Sequence, residues 1–341
     1  MSKIDLKEKL AQINELVEPV INELLIKNVE QGNTGIMLHQ CAAGGKRIRP
    51  ALITLSGQLF GAEIHDLIYP AAAAEILHNA TLIIDDIIDH SEFRRNEPTC
   101  WNKYGQSMAE CASMDYIASV FEGVNRANNS SRLASLYSKT LKIIVDGEIK
   151  DILFERSGRD DEQFVVENRY KTITKDDYLS MIGQKTAILL QMCCAAGAIC
   201  ANASEEDIST ISEFGWNLGM AFQIRDDILD IFGDEKSFGK KIGKDIIEKK
   251  MGNFIILSAI EQLELDDKMM ILDLLEGADE VTDEDVKTIT SLIEKTNAKK
   301  IAEDVAAIYI KKAFDDLAKL PQNEYNETLV EISNYIINRS K

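Results

Sequence analysis

The chain has 341 residues, and 45% of them are hydrophobic, which is enough for a sizeable core. Its formal net charge of −19 disfavours nonspecific binding to nucleic acid. We find no amino-terminal secretory pattern and no apolar run of about 20 residues, so we expect no transmembrane segment and a cytoplasmic location. The six cysteines have no CxxC spacing, which favours reduced thiols.

Helical patterns begin at the amino terminus. Residues 3–30 predict one amphipathic helix, and a glycine pair at 44–45 predicts a loop. Further helices are predicted to start at Pro50 and Pro70, because proline is favoured at the first position of a helix. No proline occurs between Pro98 and Pro321, which suits helices better than a sheet with many turns.

Polar segments separate the later helices. Residues 124–132 predict a turn, residues 156–163 and 232–245 predict charged loops, and Ser204 is an expected helix N-cap. Strand-like alternation is weak throughout, and no linker divides the chain. The sequence therefore predicts one all-α domain, an antiparallel helical bundle spanning residues 1–341.

Asp-Asp pairs occur six times, and most such pairs in an acidic chain lie on a solvated surface. Only two pairs continue to a third aspartate four residues on, and both are embedded in apolar sequence. These two motifs are Asp85-Asp86-x-x-Asp89 and Asp226-Asp227-x-x-Asp230.

The spacing of the two motifs predicts metal binding. Positions i and i+4 share a helix face, and like charges there destabilise the helix unless a cation lies between them. Carboxylates suit Mg²⁺, which keeps waters and takes substrate phosphates as further ligands. A calcium-binding loop is a poorer fit because it needs ligands at successive odd positions and a central glycine. We therefore expect two facing helices that hold Mg²⁺ and a diphosphate across a cavity.

Basic residues accompany both motifs, although each alone is more often a solvated surface residue. They are Lys46, Arg47 and Arg49 in "GGKRIRP", Arg94 and Arg95 after the first motif, Lys185 with Thr186, and Lys240, Lys241, Lys244, Lys249 and Lys250 after the second motif.

The order of these segments resembles the polyprenyl synthetase family, the trans-type isoprenyl diphosphate synthases. The resemblance runs from residue 44 to about residue 260, and helices at 255–341 complete the chain. It implies the isoprenoid synthase fold with a central catalytic cavity and a homodimer. It also implies two substrates, isopentenyl diphosphate and an allylic diphosphate, and a cofactor of about three Mg²⁺ ions with bound diphosphate.

The resemblance also implies roles for individual residues. The diphosphate of isopentenyl diphosphate would bind Lys46, Arg49, His78 and Arg95. The allylic diphosphate would bind Arg94, Lys185, Thr186, Gln223, Lys240 and Lys250. Metal ligands would be Asp85, Asp89 and Asp226, with Asp230 in or near the set, whereas Asp86 and Asp227 would orient ligands. Asp85, Asp89, Asp226, Lys185 and Arg94 would carry catalysis.

The segment after the second motif departs from the family pattern. It reads "GKKIGKDIIEKKMGNF", with Lys249, Gly252 and Phe254 where the family usually has glycine, threonine and proline. We expect the charged loop at 232–245 to act as a lid over the site. The sequence leaves open the shape of this lid and which of Lys240 and Lys241 binds phosphate.

Product length depends on the helix before Asp85. Short-chain members of the family commonly have an aromatic ring four or five residues before this position, whereas this chain has Thr81 and Ala80. The small side chains predict a product of C20 or longer. The alternative is a floor formed from another helix, by Met114, Tyr116 or Phe121.

Two other classes of protein remain alternatives. A class I terpene cyclase or head-to-head synthase also uses aspartate-rich metal sites, but it has little use for "GGKRIRP". A non-catalytic subunit of a heteromeric synthase is expected to have lost one motif or its lysines, and this chain retains both.

Overall fold

A computed structural model describes residues 6–233, 243–277 and 280–337. Helices account for 77% of the structure, so the all-α prediction is confirmed. The helices are α1 (Leu6–Ile26), α2 (Thr34–Ala42), α3 (Ile48–Leu59), α4 (Ile64–Ile88), α5 (Cys100–Tyr104), α6 (Gln106–Asn125), α7 (Ser130–Leu153), α8 (Gln163–Asn168), α9 (Lys175–Ile182), α10 (Ile188–Cys200), α11 (Glu205–Phe232), α12 (Lys244–Ile247), α13 (Phe254–Ile260), α14 (Leu265–Glu276), α15 (Asp283–Glu294), α16 (Ala298–Leu317) and α17 (Glu324–Ile337).

The chain folds into two compact units, each assembled from segments that are distant in the sequence. Unit 1 comprises the chain up to Leu141 together with Leu189–Gly215 and Asp316–Ile332. Unit 2 comprises Lys142–Ile188, Trp216–Asp315 and the chain from Ser333 onward. The first aspartate motif belongs to unit 1 and the second to unit 2.

Helix α4 is the core of unit 1, where it packs against α1, α3 and α6. Its run of four alanines, Ala71–Ala74, is fully buried and lets the neighbouring helices approach closely. The amphipathic pattern of α1 buries Val17, Ile21 and Leu25 on one face. Burying such side chains is worth roughly 1.5–3 kcal/mol each, and it holds α4 in place.

The core of unit 2 gathers apolar side chains from α9, α11 and the carboxyl-terminal helices. Tyr178, Ile224, Phe254 and Ile289 are buried there. A π-helical turn, Gly183–Ala187, joins α9 to α10 and contains the predicted Lys185-Thr186 pair. Such turns alter the direction in which side chains leave a helix, and they are frequent at functional sites.

Most local predictions agree with the observed elements. The Ser204 hydroxyl accepts the backbone N–H of Asp207 at 3.1 Å and caps α11 as predicted. The predicted start at Pro70 is wrong, because α4 begins at Ile64 and Pro70 lies inside it. The buried hydroxyl of Tyr137 donates to the Pro70 carbonyl at 2.7 Å, so a neighbouring helix supports this part of α4.

A short hairpin between α4 and α5 was not predicted. Strands β1 (Phe93–Arg94) and β2 (Glu97–Pro98) pair antiparallel, with Arg94 opposite Glu97. The two turn residues, Arg95 and Asn96, have φ values of 55° and 65°. A two-residue hairpin loop of type I′ requires positive φ at both positions, and asparagine tolerates this conformation well.

Two helical stretches, Ile64–Ile88 and Lys175–Cys200, are long and apolar enough to cross a membrane by length and composition. However, 67% and 72% of their most apolar windows are buried within the protein. Core helices of soluble proteins have this property, so the two stretches are weak evidence for a membrane span.

Candidate active site

The first aspartate motif closes α4. Asp85 and Asp89 are partly exposed, whereas Asp86 is only 1% exposed. Asp89 is the C-cap residue, and its N–H donates to the Asp85 carbonyl at 2.8 Å. The carboxyl end of a helix carries partial negative charge and attracts cations. The two partly exposed carboxylates and the carboxyl end of α4 therefore place negative charge in the same region.

Arg94 on strand β1 is bound to this motif. Its guanidinium donates to the buried Asp86 carboxylate at 2.7 and 2.8 Å and to Asp85 at 3.3 Å. Burial is the largest single cause and lowers the pKa of Arg94, but the hydrogen bonds to Asp86 and the charges of Asp86, Asp85 and Asp89 together raise this pKa above its usual value. Asp86 thus holds Arg94 beside Asp85.

Cationic groups gather beside His78 in unit 1. Desolvation by the surrounding protein, followed by the charges of Arg49 and Arg95, lowers the pKa of His78 well below its usual value. His78 is therefore neutral at physiological pH. A neutral imidazole among guanidinium groups can donate a hydrogen bond to an anion without adding to the positive charge.

Gly45 lies against the guanidinium of Arg95. A Cβ atom at Gly45 would lie 3.0 Å from Arg95 Nη1, and the glycine has φ +148°, which side-chain-bearing residues rarely adopt. The glycine pair noted in the sequence is therefore required by geometry, since it allows an arginine from the hairpin to reach the 44–47 loop.

The second aspartate motif, on α11, has one partly exposed and two buried members. Asp226 is partly exposed, whereas Asp227 and Asp230 are 3% and 8% exposed. The Asp227 carboxylate accepts the Tyr178 hydroxyl and the backbone N–H of Phe254, the latter at 2.9 Å. Asp227 therefore anchors α9 and α13 to α11 and is not directed to solvent.

The Asp230 carboxylate accepts the backbone N–H groups of Lys244 and Asp245 at 3.1 and 3.2 Å. Burial, together with the nearby Asp245 carboxylate, raises the pKa of Asp230 to about 8. A carboxylate whose oxygens already accept two main-chain amides has fewer lone pairs left for a metal ion. These two hydrogen bonds attach the start of α12 to Asp230.

Two of the predicted lysines of unit 2, Lys185 and Lys250, are already paired with carboxylates. Lys185 lies 2.8 Å from Glu148 and 2.7 Å from Asp151, both on α7. Lys250 lies 3.9 Å from the same Asp151 oxygen and 3.2 Å from Glu248. An incoming diphosphate would have to compete with these carboxylates, which hold the two ammonium groups near each other.

Thr186 and Gln223 are also brought together, since the threonine hydroxyl donates to the Gln223 amide oxygen at 3.0 Å. The Gln223 amide nitrogen donates to Asp227 at 3.3 Å. The residues Lys240 and Lys241 lie outside the described residues, as does most of the loop predicted at 232–245.

The positions expected to set product length differ in their surroundings. Ala80 is 2% exposed, and its carbonyl accepts the Ser113 hydroxyl of α6 at 3.2 Å. Thr81 is partly exposed. Of the alternative side chains, Tyr116 is buried and donates to the Met37 carbonyl, whereas Met114 and Phe121 lie on the exposed side of α6, with exposures of 74% and 40%.

Each aspartate motif, taken by itself, presents carboxylates that suit a hard divalent cation. Asp85, Asp89 and Asp226 are partly exposed carboxylates, the oxygen ligands that Mg²⁺ prefers when phosphates and waters complete its shell. Within residues 6–233, 243–277 and 280–337, no three His, Cys, Asp or Glu side chains form a ready-made metal cluster.

Comparison with known proteins assigns the family. The model for the polyprenyl synthetase family matches residues 32–293, so the chain belongs to this family. It is 35% identical to the geranylgeranyl diphosphate synthase of Saccharolobus solfataricus, over 95% of this chain and 94% of that protein. It is 32% identical to the short chain isoprenyl diphosphate synthase of Methanothermobacter thermautotrophicus, over 96% and 94% of the two chains.

Solved structures support the same conclusion. The geranylgeranyl pyrophosphate synthetase of Pyrococcus horikoshii superposes with a TM-score of 0.88 at 30% identity, covering 98% of both chains. The predicted family, isoprenoid synthase fold and prenyltransferase class are confirmed. Enzymes of this family act on isoprenoid diphosphates and generally use divalent metal ions.

Sequence reasoning missed several residues that organise the site. Glu148 and Asp151 pair with the lysines, Tyr178 holds Asp227, and Glu75 lies buried in α4. Glu75 could have been singled out from the sequence, because a carboxylate within the apolar run "AAAAEIL" needs a buried partner. The other three lie in amphipathic helices, where nothing in the local pattern distinguishes them from surface or core residues.

Proposed function

We propose that this protein is a trans-prenyltransferase that condenses isopentenyl diphosphate with an allylic diphosphate head to tail, giving a polyprenyl diphosphate of C20 or longer. The observation that carries the proposal is the group of cations around His78 in unit 1. A terpene cyclase has no second diphosphate substrate and no need for this group. The relatives named geranylgeranyl synthases support a product of at least C20.

Each substrate has its own set of side chains in this proposal. Lys46, Arg49, His78 and Arg95 bind the diphosphate of isopentenyl diphosphate without metal. Arg94, Lys185, Thr186, Gln223, Lys240 and Lys250 bind the allylic diphosphate. Asp85, Asp89 and Asp226 would ligate about three Mg²⁺ ions together with substrate oxygens. Asp230 is left out of the ligand set because its carboxylate binds backbone amides of α12.

The chemistry then follows from charge. Bound Mg²⁺ supplies positive charge that favours departure of pyrophosphate. Lys185 and Lys250 donate hydrogen bonds to the leaving group, and the allylic C–O bond breaks with both electrons going to oxygen. Lys46 and Arg49 hold the second substrate so that its double bond attacks the allylic carbon. A proton then leaves the adjacent carbon, and released pyrophosphate is a suitable base. No side chain has to act as a nucleophile.

We also propose a cytoplasmic homodimer. The exposed side of α6 carries Met114 and Phe121, with exposures of 74% and 40%, together with the exposed residues Cys111 and Ala118. The three- and four-residue spacing of these side chains places them on one stripe of the helix. Exposing an apolar stripe of this kind to water is unfavourable, and a second copy of the chain would cover it.

The test is incubation of the purified protein with Mg²⁺, isopentenyl diphosphate and each allylic primer in turn, followed by sizing of the products. Asp85→Asn and Asp226→Asn should each lower kcat by about 10²-fold or more, since each removes a charged oxygen ligand at the leaving group. Asp160→Asn, in an exposed Asp-Asp pair, is the matched control and should have normal activity. Products no longer than C15, or full activity of either motif variant, would refute the proposal.

A further inference from the structure

Arg47 has a different environment from its neighbours in "GGKRIRP". Lys46 is exposed and Arg49 is partly exposed, but Arg47 is only 4% exposed. Its guanidinium donates to Glu18 of α1, to Glu75 of α4 at 2.9 Å and to the Cys41 carbonyl at 2.9 Å. The donors of Arg47 are thus directed into unit 1 and are used by the protein itself.

The backbone at Arg47 is held in an unfavourable conformation. Its φ and ψ are 48° and 39°, in the left-handed region, which brings the Cβ atom of a residue with a side chain too close to the following carbonyl oxygen. It immediately precedes α3, between Lys46 and the first turn that carries Arg49. The left-handed residue therefore sets the directions of the two flanking cations, and it persists only because the surrounding contacts hold it.

The Arg47–Glu75 pair also affects the net charge next to the arginines around His78. Glu75 is 2% exposed, and its Oε1 atom accepts from Arg47 and, at 3.3 Å, from the Asn79 amide. Its Oε2 atom has no hydrogen-bond partner among the described residues. Without Arg47, a buried carboxylate would offset the positive charge of nearby Arg95. Burial lowers the pKa of Arg95, the charge of Glu75 opposes this, and the charge of Arg47 adds to it.

We propose that Arg47 is a positioning residue for the metal-independent substrate. It touches no substrate atom. Its contacts with Glu18 and Glu75 fix the 44–47 loop so that Lys46 and Arg49 meet the diphosphate of isopentenyl diphosphate. The inference rests on the proposed function and deepens it, because it assigns the loop geometry to a buried ion pair that spans α1, the loop and α4.

The test separates position from charge and from stability. Arg47→Met alone leaves Glu75 as an unpaired buried charge, a strongly destabilising change. The double variant R47M/E75Q removes both members of the pair without changing the net charge. We expect it to keep a melting temperature near that of the wild type but to bind isopentenyl diphosphate at least tenfold more weakly, measured by calorimetry without metal or allylic substrate. KM for the allylic substrate should remain within about twofold.

Two further variants complete the design. Arg47→Lys keeps the charge and loses the planar fork, so it should fold and also weaken isopentenyl diphosphate binding several-fold. Arg126→Met is the matched control, since Arg126 likewise pairs with a glutamate of α1, Glu23 at 2.6 Å, but lies on the surface. It should leave both substrates unaffected.

The outcomes are distinguishable. If R47M/E75Q binds isopentenyl diphosphate within twofold of the wild type, Arg47 is merely structural and the inference is overturned. Where the double variant does not fold, R47K is measured instead and judged by the same criterion. The same holds if KM for both substrates rises equally. If the wild-type protein itself binds no isopentenyl diphosphate, the proposed function fails and the inference fails with it.

Discussion

His78 is a titratable residue whose surroundings determine its charge. Partial exposure would normally leave a histidine near its usual pKa of about 6.5. Here the surrounding protein and the positive charges of Arg49, Arg95 and other arginines disfavour the imidazolium, so the pKa of His78 lies well below that value. The folded protein therefore binds a proton at His78 less readily than the unfolded chain does.

The consequence is a stability term that depends on pH. Near pH 8 neither state is protonated at His78, and as pH falls through about 6.5 the unfolded state gains the proton while the folded state does not. The free energy of unfolding therefore decreases with falling pH. His78→Asn should make this decrease between pH 6.5 and 5 shallower, as measured by urea unfolding. His65→Asn is the control, because its side chain is 75% exposed. Identical pH slopes for wild type and His78→Asn would contradict the prediction.

The basic residues should also separate the two substrates in kinetics. Lys46→Ala removes a charged donor from the proposed isopentenyl diphosphate site, and Lys185→Ala removes one from the allylic site. A hydrogen bond to a charged group is worth about 1.5–3 kcal/mol, or roughly 10- to 150-fold in KM. Each variant should raise KM for its own substrate by about that factor.

Steady-state kinetics with one substrate varied at a time would measure this separation. Lys300→Ala is the control, since its side chain is 69% exposed and it should change neither constant. Comparable increases in both KM values for Lys46→Ala and Lys185→Ala would mean that the two diphosphates are not bound by separate side chains.

At the scale of elements, the carboxyl end of α4 and the hairpin that follows it are joined by side-chain contacts. The hairpin turn directs Arg94 to Asp86 and Asp85, while Arg95 reaches Gly45. Helix α4 also carries Ala80 and Thr81, one turn before the motif. The same helix therefore presents the metal motif and the residues that we expect to limit product length.

Thr81→Phe is a cleaner test of product length than a substitution at Ala80. Ala80 is buried beneath Ser113 of α6, and overpacking there would cost about 1–3 kcal/mol of stability. Thr81 is partly exposed, so a phenyl ring can be accommodated and would block the growing chain. We expect products shortened by one or more five-carbon units, measured by chromatography of the dephosphorylated alcohols. Thr81→Ser should leave the distribution unchanged, and an unchanged distribution for Thr81→Phe would place the floor elsewhere.

At the scale of the whole molecule, the net charge of −19 keeps copies of the chain apart unless an apolar surface brings them together. The exposed stripe of α6 is the surface that we propose for this contact. Met114→Glu places a charge at its most exposed position and should shift the protein toward monomer in light scattering at micromolar concentration. Met270→Glu, at another exposed methionine on α14, is the control. A wild type that is monomeric and fully active would refute the homodimer.

The sequence by itself determined the helices, both aspartate motifs and the family. Periodicity, capping residues such as Ser204 and the i, i+4 spacing of aspartates are local properties, so they can be read along the chain. It also suggested which aspartates are metal ligands, and for Asp85, Asp89 and Asp226, which are partly exposed, that role stays a prediction.

Only the tertiary structure decided how the charged residues divide their tasks. Arg47 is one of three basic residues in a short motif, yet packing buries it against Glu75. Asp230 resembles Asp89 in spacing, yet it binds backbone amides of α12. Lys185 meets Glu148 and Asp151 from a helix more than 30 residues earlier. A buried charge is stable only with its partner, and that partner is chosen by contacts between segments distant in the chain, which local patterns do not encode.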